Sequence, residues 1–346
     1  MTENNRNELP LLEIKGLKKY YPIEAGIAKR QVGLVKAVDD ITLQIRKNEV
    51  LGVVGESGCG KTTLGRAIMR IIEPTEGSVK FHMNNEDIEF TKLNKTELRK
   101  MRRNIQMIFQ NPYTSLNPRM TIFDIVAEPM RLVGKYSQDQ INLRVKYITG
   151  RVGLEEKHLN RYPHAFSGGQ RQRIGIARAL ILGPKFVVAD EAVSALDVSI
   201  QAQILNLLTE LKEEYDLTYL FIAHNLSVVE HISDRVCVMY LGRIAELSET
   251  EELFYHPKHP YTEALLSAIP IADPEVKNNR IMLPGEVGNA ADLPGGCCFH
   301  PRCRYAKDFC KNEIPVLQEI SPGHFVACHF SDQLKLSGIG ELKINI

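Results

Sequence analysis

The chain has 346 residues, too many for one compact core, so two or three subdomains are expected. Charged residues make up 25% and apolar ones 44%, and the net charge of +1 provides no global basic field to recruit nucleic acid or an anionic membrane. The polar opening MTENNRNELP lacks the apolar stretch of a signal peptide, and no apolar run approaches the ~18 residues of a membrane span. A cytoplasmic protein with reduced thiols is therefore expected, any membrane link coming through partners.

Along the chain, ITLQI (41–45) alternates like a strand with one wet face, and VLGVVG (50–55) reads as a buried strand bounded by glycine. KTTLGRAIMRII (61–72) reads as the helix that follows, and NIQMIF, KFVVAD, LTYLFIAH and RVCVMY as further strands. Buried strands interleaved with helices imply an α/β core with a mostly parallel sheet. Residues from about 96 to 180 have the composition of a helical insertion. Nine of the seventeen prolines lie between Pro257 and Pro322, which disfavours long helices and interior strands there. The reading is an irregular C-terminal extension that needs some other means of holding its shape. There is no internal repeat or low-complexity tract.

GESGCGKT (55–62) fits the phosphate-binding loop pattern. Gly55, Gly58 and Gly60 let backbone N–H groups turn toward phosphates, and the next helix adds its positive N-terminal end. Lys61 would reach the β- and γ-phosphates of ATP, and the Thr62 hydroxyl would bind Mg²⁺. A chance glycine-rich turn is the plain alternative, but a buried strand before it and a helix after it are the context the motif requires. KFVVADEAVSALD (185–197) supplies the second half: Asp190 places a carboxylate beside Mg²⁺, and Glu191 stands where it polarises the attacking water. Alone, that acidic pair is a solvated strand end.

FSGGQRQR (166–173), about twenty residues before Asp190, resembles the signature sequence of ATP-binding cassette ATPases. Ser167 would also serve as a plain helix cap. Gln110 matches that family's Q-loop, SALD (194–197) with Asp197 its D-loop, and His224 its switch histidine. Tyr21 sits where the family stacks an aromatic ring on adenine, with Tyr20 a weaker candidate. The resemblance covers about residues 11 to 255. It implies a P-loop cassette with a RecA-like core, an antiparallel β subdomain and a helical subdomain, within residues 1–255. It further implies that Gly55, Glu56, Ser57, Gly58, Cys59, Gly60, Lys61, Thr62 and Thr63 cradle ATP, with Mg²⁺ held by Thr62, Gln110 and Asp190. Glu191 and His224 are then the catalytic pair. Ser167, Gly168, Gly169 and Gln170 would face the ATP of a partner cassette in a head-to-tail dimer. Phe166 replaces the more usual Leu, and Ala192 the usual Pro; neither touches the chemistry.

Seven cysteines are present, and Cys297, Cys298, Cys303 and Cys310 crowd into GCCFHPRCRYAKDFC (296–310), with Cys328 close behind. Together with KHPYTEALLSAIP (258–270), this tail resembles the oligopeptide/dipeptide (and nickel) importer ATPases, whose C-terminal extension carries an iron–sulfur cluster. The resemblance implies Cys297, Cys303, Cys310 and Cys328 as 4Fe–4S ligands, within an extension over 256–346. Cys298 falls where the family varies and reads as a bystander. Zinc is the rival, although paired zinc cysteines favour gaps of about two to four residues, and here they are five, six and seventeen. Cys59 and Cys237 read as packing residues.

NPYTSLNPRMTIFDIVAEPMRLVG (111–134) matches the segment that meets the coupling helix of a membrane subunit in this family. The insert at 22–38 and NPRMTI resemble the second of the two ATPase subunits these importers use. The partners implied are a sister cassette, two integral membrane permeases and, indirectly, an extracytoplasmic peptide-binding protein, with no nucleic acid. The function implied is ATP-driven peptide import at the cytoplasmic face of the membrane. The alternatives are a nickel importer and a soluble cassette ATPase acting on DNA repair or the ribosome.

Overall fold

The period-two alternation near the N-terminus folds as a long hairpin, β1 (Leu12–Ala25) and β2 (Arg30–Ile45). Ile41, Leu43 and Ile45 turn inward while Asp40, Thr42 and Gln44 stay wet. The computed structural model describes residues 9–26, 30–83, 86–270, 280–286 and 288–339. Ile27, Ala28 and Lys29 of the 22–38 insert lie outside the described residues, as do the first eight. The chain divides into one unit of Met1–Thr91 with Ala223–Ile346, and a second of Lys92–Ile222.

In the first unit, β1 and β2 pair antiparallel with β4 (Glu76–Met83) and β5 (Glu86–Glu89) in the order β2-β1-β4-β5. Between them come β3 (Val50–Val54), buried at every position, and α1 (Lys61–Ile68). The expected helix over 61–72 stops early because Arg70 takes a left-handed backbone (φ 46°). Its guanidinium donates instead to the Phe90 carbonyl at 2.9 Å and to Glu73.

The second unit begins with α2 (Lys95–Met101), whose Asn94–Glu97 capping box fixes its start. β6 (Ile105–Ile108) and α3 (Pro112–Ser115) follow, then the helices α4 (Ile122–Val133), α5 (Gln138–Arg151) and α6 (Gly168–Leu180). β7 (Phe186–Asp190), α7 (Val198–Tyr215) and β8 (Thr218–Ile222) complete it. β6, β7 and β8 are parallel neighbours, and β7 and β8 are buried at every position, as strands covered on both faces must be.

Back in the first unit, α8 (Leu226–Ile232) leads to β9 (Arg235–Tyr240), parallel to β3, and to β10 (Arg243–Glu249), antiparallel to β9. The buried pair Arg235–Glu49, 3.0 Å apart, ties the start of β9 to the residue before β3. The C-terminal region then contributes α9 (Thr250–Tyr255), α10 (Pro260–Ser267), α11 (Asp308–Asn312), β11 (Gln318–Ser321) and β12 (His324–Val326).

Here the sequence expectation is corrected. β12 is an interior strand, lying between β10 and β11. The prolines do not prevent it: Pro315 precedes β11, and Pro322 falls in the turn between β11 and β12, where a missing N–H costs no ladder bond. The region also docks through one carboxylate. Glu246 on β10, fully buried, accepts from the backbone N–H groups of Lys258 (2.7 Å) and His259 (3.1 Å) and contacts His324 Nε2 at 2.7 Å. Two separate segments of the tail, at 258–259 and at 324, thus converge on a single side chain.

Candidate functional site

The phosphate-loop residues fill the turn between β3 and α1. Gly55, Gly58 and Gly60 all have positive φ (149°, 80° and 105°). A Cβ on Gly60 would stand 2.0 Å from the Ala37 carbonyl oxygen, so only glycine lets the loop pass the hairpin. Lys61 opens α1 and is buried, and its ammonium donates back to the carbonyls of Gly55 (2.7 Å) and Glu56 (3.0 Å). Ser57 and Gly58 are exposed, and Thr62 and Thr63 half-buried, on the first turn of a helix whose N–H groups suit an anion. Cys59 is buried, and desolvation pushes its thiol up, as for a packing residue. Cys237 is buried on β9, its thiol pushed up to about 12 for the same reason.

Glu56 is the most constrained residue of the loop. Its backbone N–H donates to the Tyr261 hydroxyl at 2.8 Å, and its carbonyl accepts from Lys61. Its carboxylate accepts two bonds from the Arg302 guanidinium, at 2.6 and 3.0 Å. The Arg302 side chain is 9% exposed, and this carboxylate holds the guanidinium more firmly protonated than usual. Sequence reading does not find these contacts, because Tyr261 and Arg302 lie 205 and 246 residues away along the chain.

Elsewhere in the first unit, the Tyr21 ring is 37% exposed with Lys19 Nζ 5.0 Å from its centroid. The Tyr20 hydroxyl is instead bonded to Asp39, which also accepts from Arg243 at 2.7 Å. His224 is exposed, immediately before the Asn225 cap of α8.

In the second unit, Asp190 ends β7 at 1% exposure. Glu191 follows with a left-handed backbone (φ 48°), a strained choice for a side-chain-bearing residue. Its N–H donates to the Ile222 carbonyl at 2.9 Å, which holds that conformation in place. Gln110, two residues past β6, donates through Nε2 to Glu191 Oε2 at 2.6 Å. The structure thus brings together two predicted residues that are 81 positions apart. Ala192 is buried and Phe166 packs edge-on against His158.

The signature residues open α6. Ser167 Oγ accepts from the Gln170 N–H (3.3 Å) while Gln170 Oε1 accepts from the Ser167 N–H (3.0 Å). This capping box aims Gly168 and Gly169 along the helix N-terminus. Asp197 caps α7 by accepting from Ile200 N–H at 3.0 Å. In the segment expected to meet a membrane subunit, Tyr113 is 61% exposed under the Arg171 guanidinium, 4.0 Å from its ring centroid. Among the described residues no helix is long and apolar enough to cross a membrane.

Cys297, Cys303, Cys310 and Cys328 line one small cavity of about 20 Å³, closed by Phe299, Tyr305 and Phe330 among others, whereas Cys298 lines a different one. The Cys297 N–H donates to the Cys310 carbonyl at 2.8 Å, which joins two of the four. Burial pushes the Cys297 thiol up to about 12 and that of Cys303 up to about 11. Among the described residues, however, no group of three or more His, Cys, Asp or Glu side chains stands in a metal-holding arrangement. The expectation of a formed metal centre is corrected to that extent. Cys310 is buried, and Cys297, Cys303 and Cys328 are half-buried, among the apolar side chains of that cavity. Among the described residues the cavity wall carries four soft sulfurs and the imidazoles of His259, His300 and His329 but no carboxylate, a donor set that fits a thiolate-bound iron–sulfur cluster or zinc.

Comparison with known proteins agrees with this geometry. Residues 38–194 match the ABC transporter family, and residues 245–310 match the oligopeptide/dipeptide transporter C-terminal region. The oligopeptide transport ATP-binding protein AppF of Bacillus subtilis (strain 168) is 53% identical over 93% of this chain and 98% of its own length. A probable peptide ABC transporter ATP-binding protein, y4tS, of Sinorhizobium fredii is 50% identical over 92% of this chain and 89% of its own. Among solved structures, the dimeric ATP-binding cassette MJ0796, in a post-hydrolysis state with ADP and Pi, superposes with a TM-score of 0.60 at 30% identity. That superposition covers 69% of this chain and 98% of the other. The mixed sheet, the phosphate loop, the capped signature helix and the matched C-terminal region together place this chain in the family of ABC transporter ATPases that carry the oligopeptide/dipeptide transporter C-terminal region.

Proposed function

We propose that this chain is the ATP-hydrolysing subunit that powers import of oligopeptides or dipeptides through a membrane transporter. The observation that carries the reading is the match to an oligopeptide transport ATP-binding protein along nearly the whole of both chains, tail included. ATP lies with its phosphates on the loop Gly55–Thr63, next to Lys61, and with its adenine on Tyr21. Thr62, Gln110 and Asp190 attend Mg²⁺, Glu191 polarises the attacking water and His224 assists it. The Gln110–Glu191 bond supports this pairing, since it keeps the carboxylate in one orientation until nucleotide and metal arrive. Ser167, Gly168, Gly169 and Gln170 meet the nucleotide of a partner cassette, with Asp197 beside that junction. One chain alone therefore holds half of each site.

The partner is a sister cassette, and the pair sits peripherally on two membrane permeases at the cytoplasmic face. A peptide-binding protein outside the membrane delivers the cargo. The exposed Tyr113 supports a docking role for residues 111–134. In the tail, Cys297, Cys303, Cys310 and Cys328 hold a 4Fe–4S cluster; bound there, it ties four separated points of the chain together.

The function is tested by co-expressing the chain with its membrane subunits, reconstituting the complex in vesicles and following ATP-dependent uptake of labelled di- and oligopeptides. Peptide uptake that stops with Glu191→Gln supports the reading. Uptake of nickel without peptide would replace the cargo, and failure to co-purify with membrane subunits would remove transport altogether. For the tail, anaerobic protein should be brown with about four iron atoms per chain. One zinc and no iron would sink the cluster while sparing the ligands.

A further inference from the structure

We propose that Arg302 and Tyr261 are positioning residues for ATP, through which the C-terminal region sets the charge and shape of the phosphate loop. The inference rests on reading Gly55–Thr62 as that loop. Glu56 brings a carboxylate into a loop that must receive a polyphosphate, a like-charge juxtaposition that opposes binding. Arg302 cancels it with a bidentate pair at 2.6 and 3.0 Å, shielded from water on the arginine side. The same glutamate is mechanically linked to the phosphate-binding lysine. Its carbonyl accepts from Lys61 Nζ at 3.0 Å, and its N–H is pinned by the Tyr261 hydroxyl at 2.8 Å. Moving the Glu56 peptide moves the resting place of the Lys61 ammonium.

The two anchors are themselves rigid. Tyr261, in the first turn of α10, packs edge-on against Tyr240 (4.8 Å between centroids) and near Phe299 (5.3 Å). Phe299 touches Tyr240 in turn at 5.2 Å, and the Arg302 guanidinium lies 6.0 Å from the Tyr240 ring centroid. Phe299 precedes, and Arg302 ends, one short 3-10 turn, His300–Arg302, directly before Cys303. The tail thus reaches the loop through one aromatic cluster, one hydroxyl and one guanidinium.

A contact that merely docked the tail would make a different prediction from one that tunes the loop. The test uses the full-length chain, with Mg²⁺ and ATP measured by calorimetry, and the KM and kcat of the assembled transporter. Arg302→Ala leaves the Glu56 carboxylate unpaired beside the phosphates, and ATP affinity should fall about tenfold, with KM rising and kcat at saturating ATP changing less. Adding Glu56→Gln to Arg302→Ala removes the stranded charge and should recover most of that loss, although the docking contact stays broken. Arg302→Lys keeps the charge without the fork and should lose about threefold; it serves as the test if the alanine variant does not fold. Unchanged affinity in Arg302→Ala, or a double variant no better than the single one, would overturn the proposal. Lys61→Ala runs alongside: if it binds ATP normally, the phosphate-loop reading itself falls, which is a separate failure.

Discussion

Acidification should loosen the attachment of the tail through one buried histidine. His259 is 3% exposed and caps α10, its Nδ1 accepting from the Tyr261 N–H at 3.0 Å. That role requires the neutral ring. Burial lowers its pKa to about 4, from an ordinary 6.5. The sign follows: because the folded value is depressed, the unfolded chain takes up the extra proton, so stability is complete above ~6.5 and falls with pH through the window down to about 4. The gap corresponds to about 3 kcal/mol when the linkage is complete, and about 2 kcal/mol of it is gone by pH ~5. Urea unfolding at about pH 7.5, 6 and 5 measures the slope, and His259→Asn is the control, since Asn still offers a cap acceptor but cannot ionise. The wild type should lose about 2 kcal/mol more than the variant between pH ~7.5 and ~5. Parallel slopes for the two proteins would show that His259 does not carry the effect.

Three further outcomes are expected. Glu191→Gln should bind ATP normally while turnover falls by about a hundredfold or more, because shape is kept and the water-orienting charge lost; wild-type hydrolysis rates would defeat that assignment. Glu246→Ala leaves the buried His259 N–H and the part-buried Lys258 N–H without an acceptor and strands His324. It should cost about 3 kcal/mol in urea unfolding, and a loss under about 0.5 kcal/mol would mean that the tail is docked by its apolar contacts alone. Gly169→Ala would set a Cβ 2.5 Å from Ile200 Cγ2. Hydrolysis by the assembled dimer should drop while ATP binding to the single chain persists, and equal losses of both would place Gly169 in the wrong half of the site.

Local pattern was enough to identify the strands that carry the chemistry. VLGVVG, KFVVAD and LTYLFIAH are short β-branched and aromatic runs, and each became a strand, buried at every position, that ends at a predicted site residue or leads into one. The phosphate loop was equally legible, because its glycines answer to backbone angles that no other residue adopts cheaply. The register of the N-terminal hairpin, the early stop of α1 at Arg70 and the interior position of β12 were not. Each depends on a partner distant along the chain: β12 exists because β10 offers it a ladder, and two prolines happen to fall outside that ladder.

The same division runs through the site. Sequence by itself marked out the residues expected to hold a phosphate and Mg²⁺, through short motifs, and, through a family resemblance, the cysteines expected to hold a sulfur-bound cluster. Only the tertiary structure decided that Gln110 grips Glu191, that four thiols share a cavity with Cys298 left out, and that Arg302 and Tyr261 hold Glu56. Such contacts join groups tens to hundreds of residues apart. No local periodicity encodes them, and they arise where burial removes water and leaves each charge or N–H to find its partner within the protein.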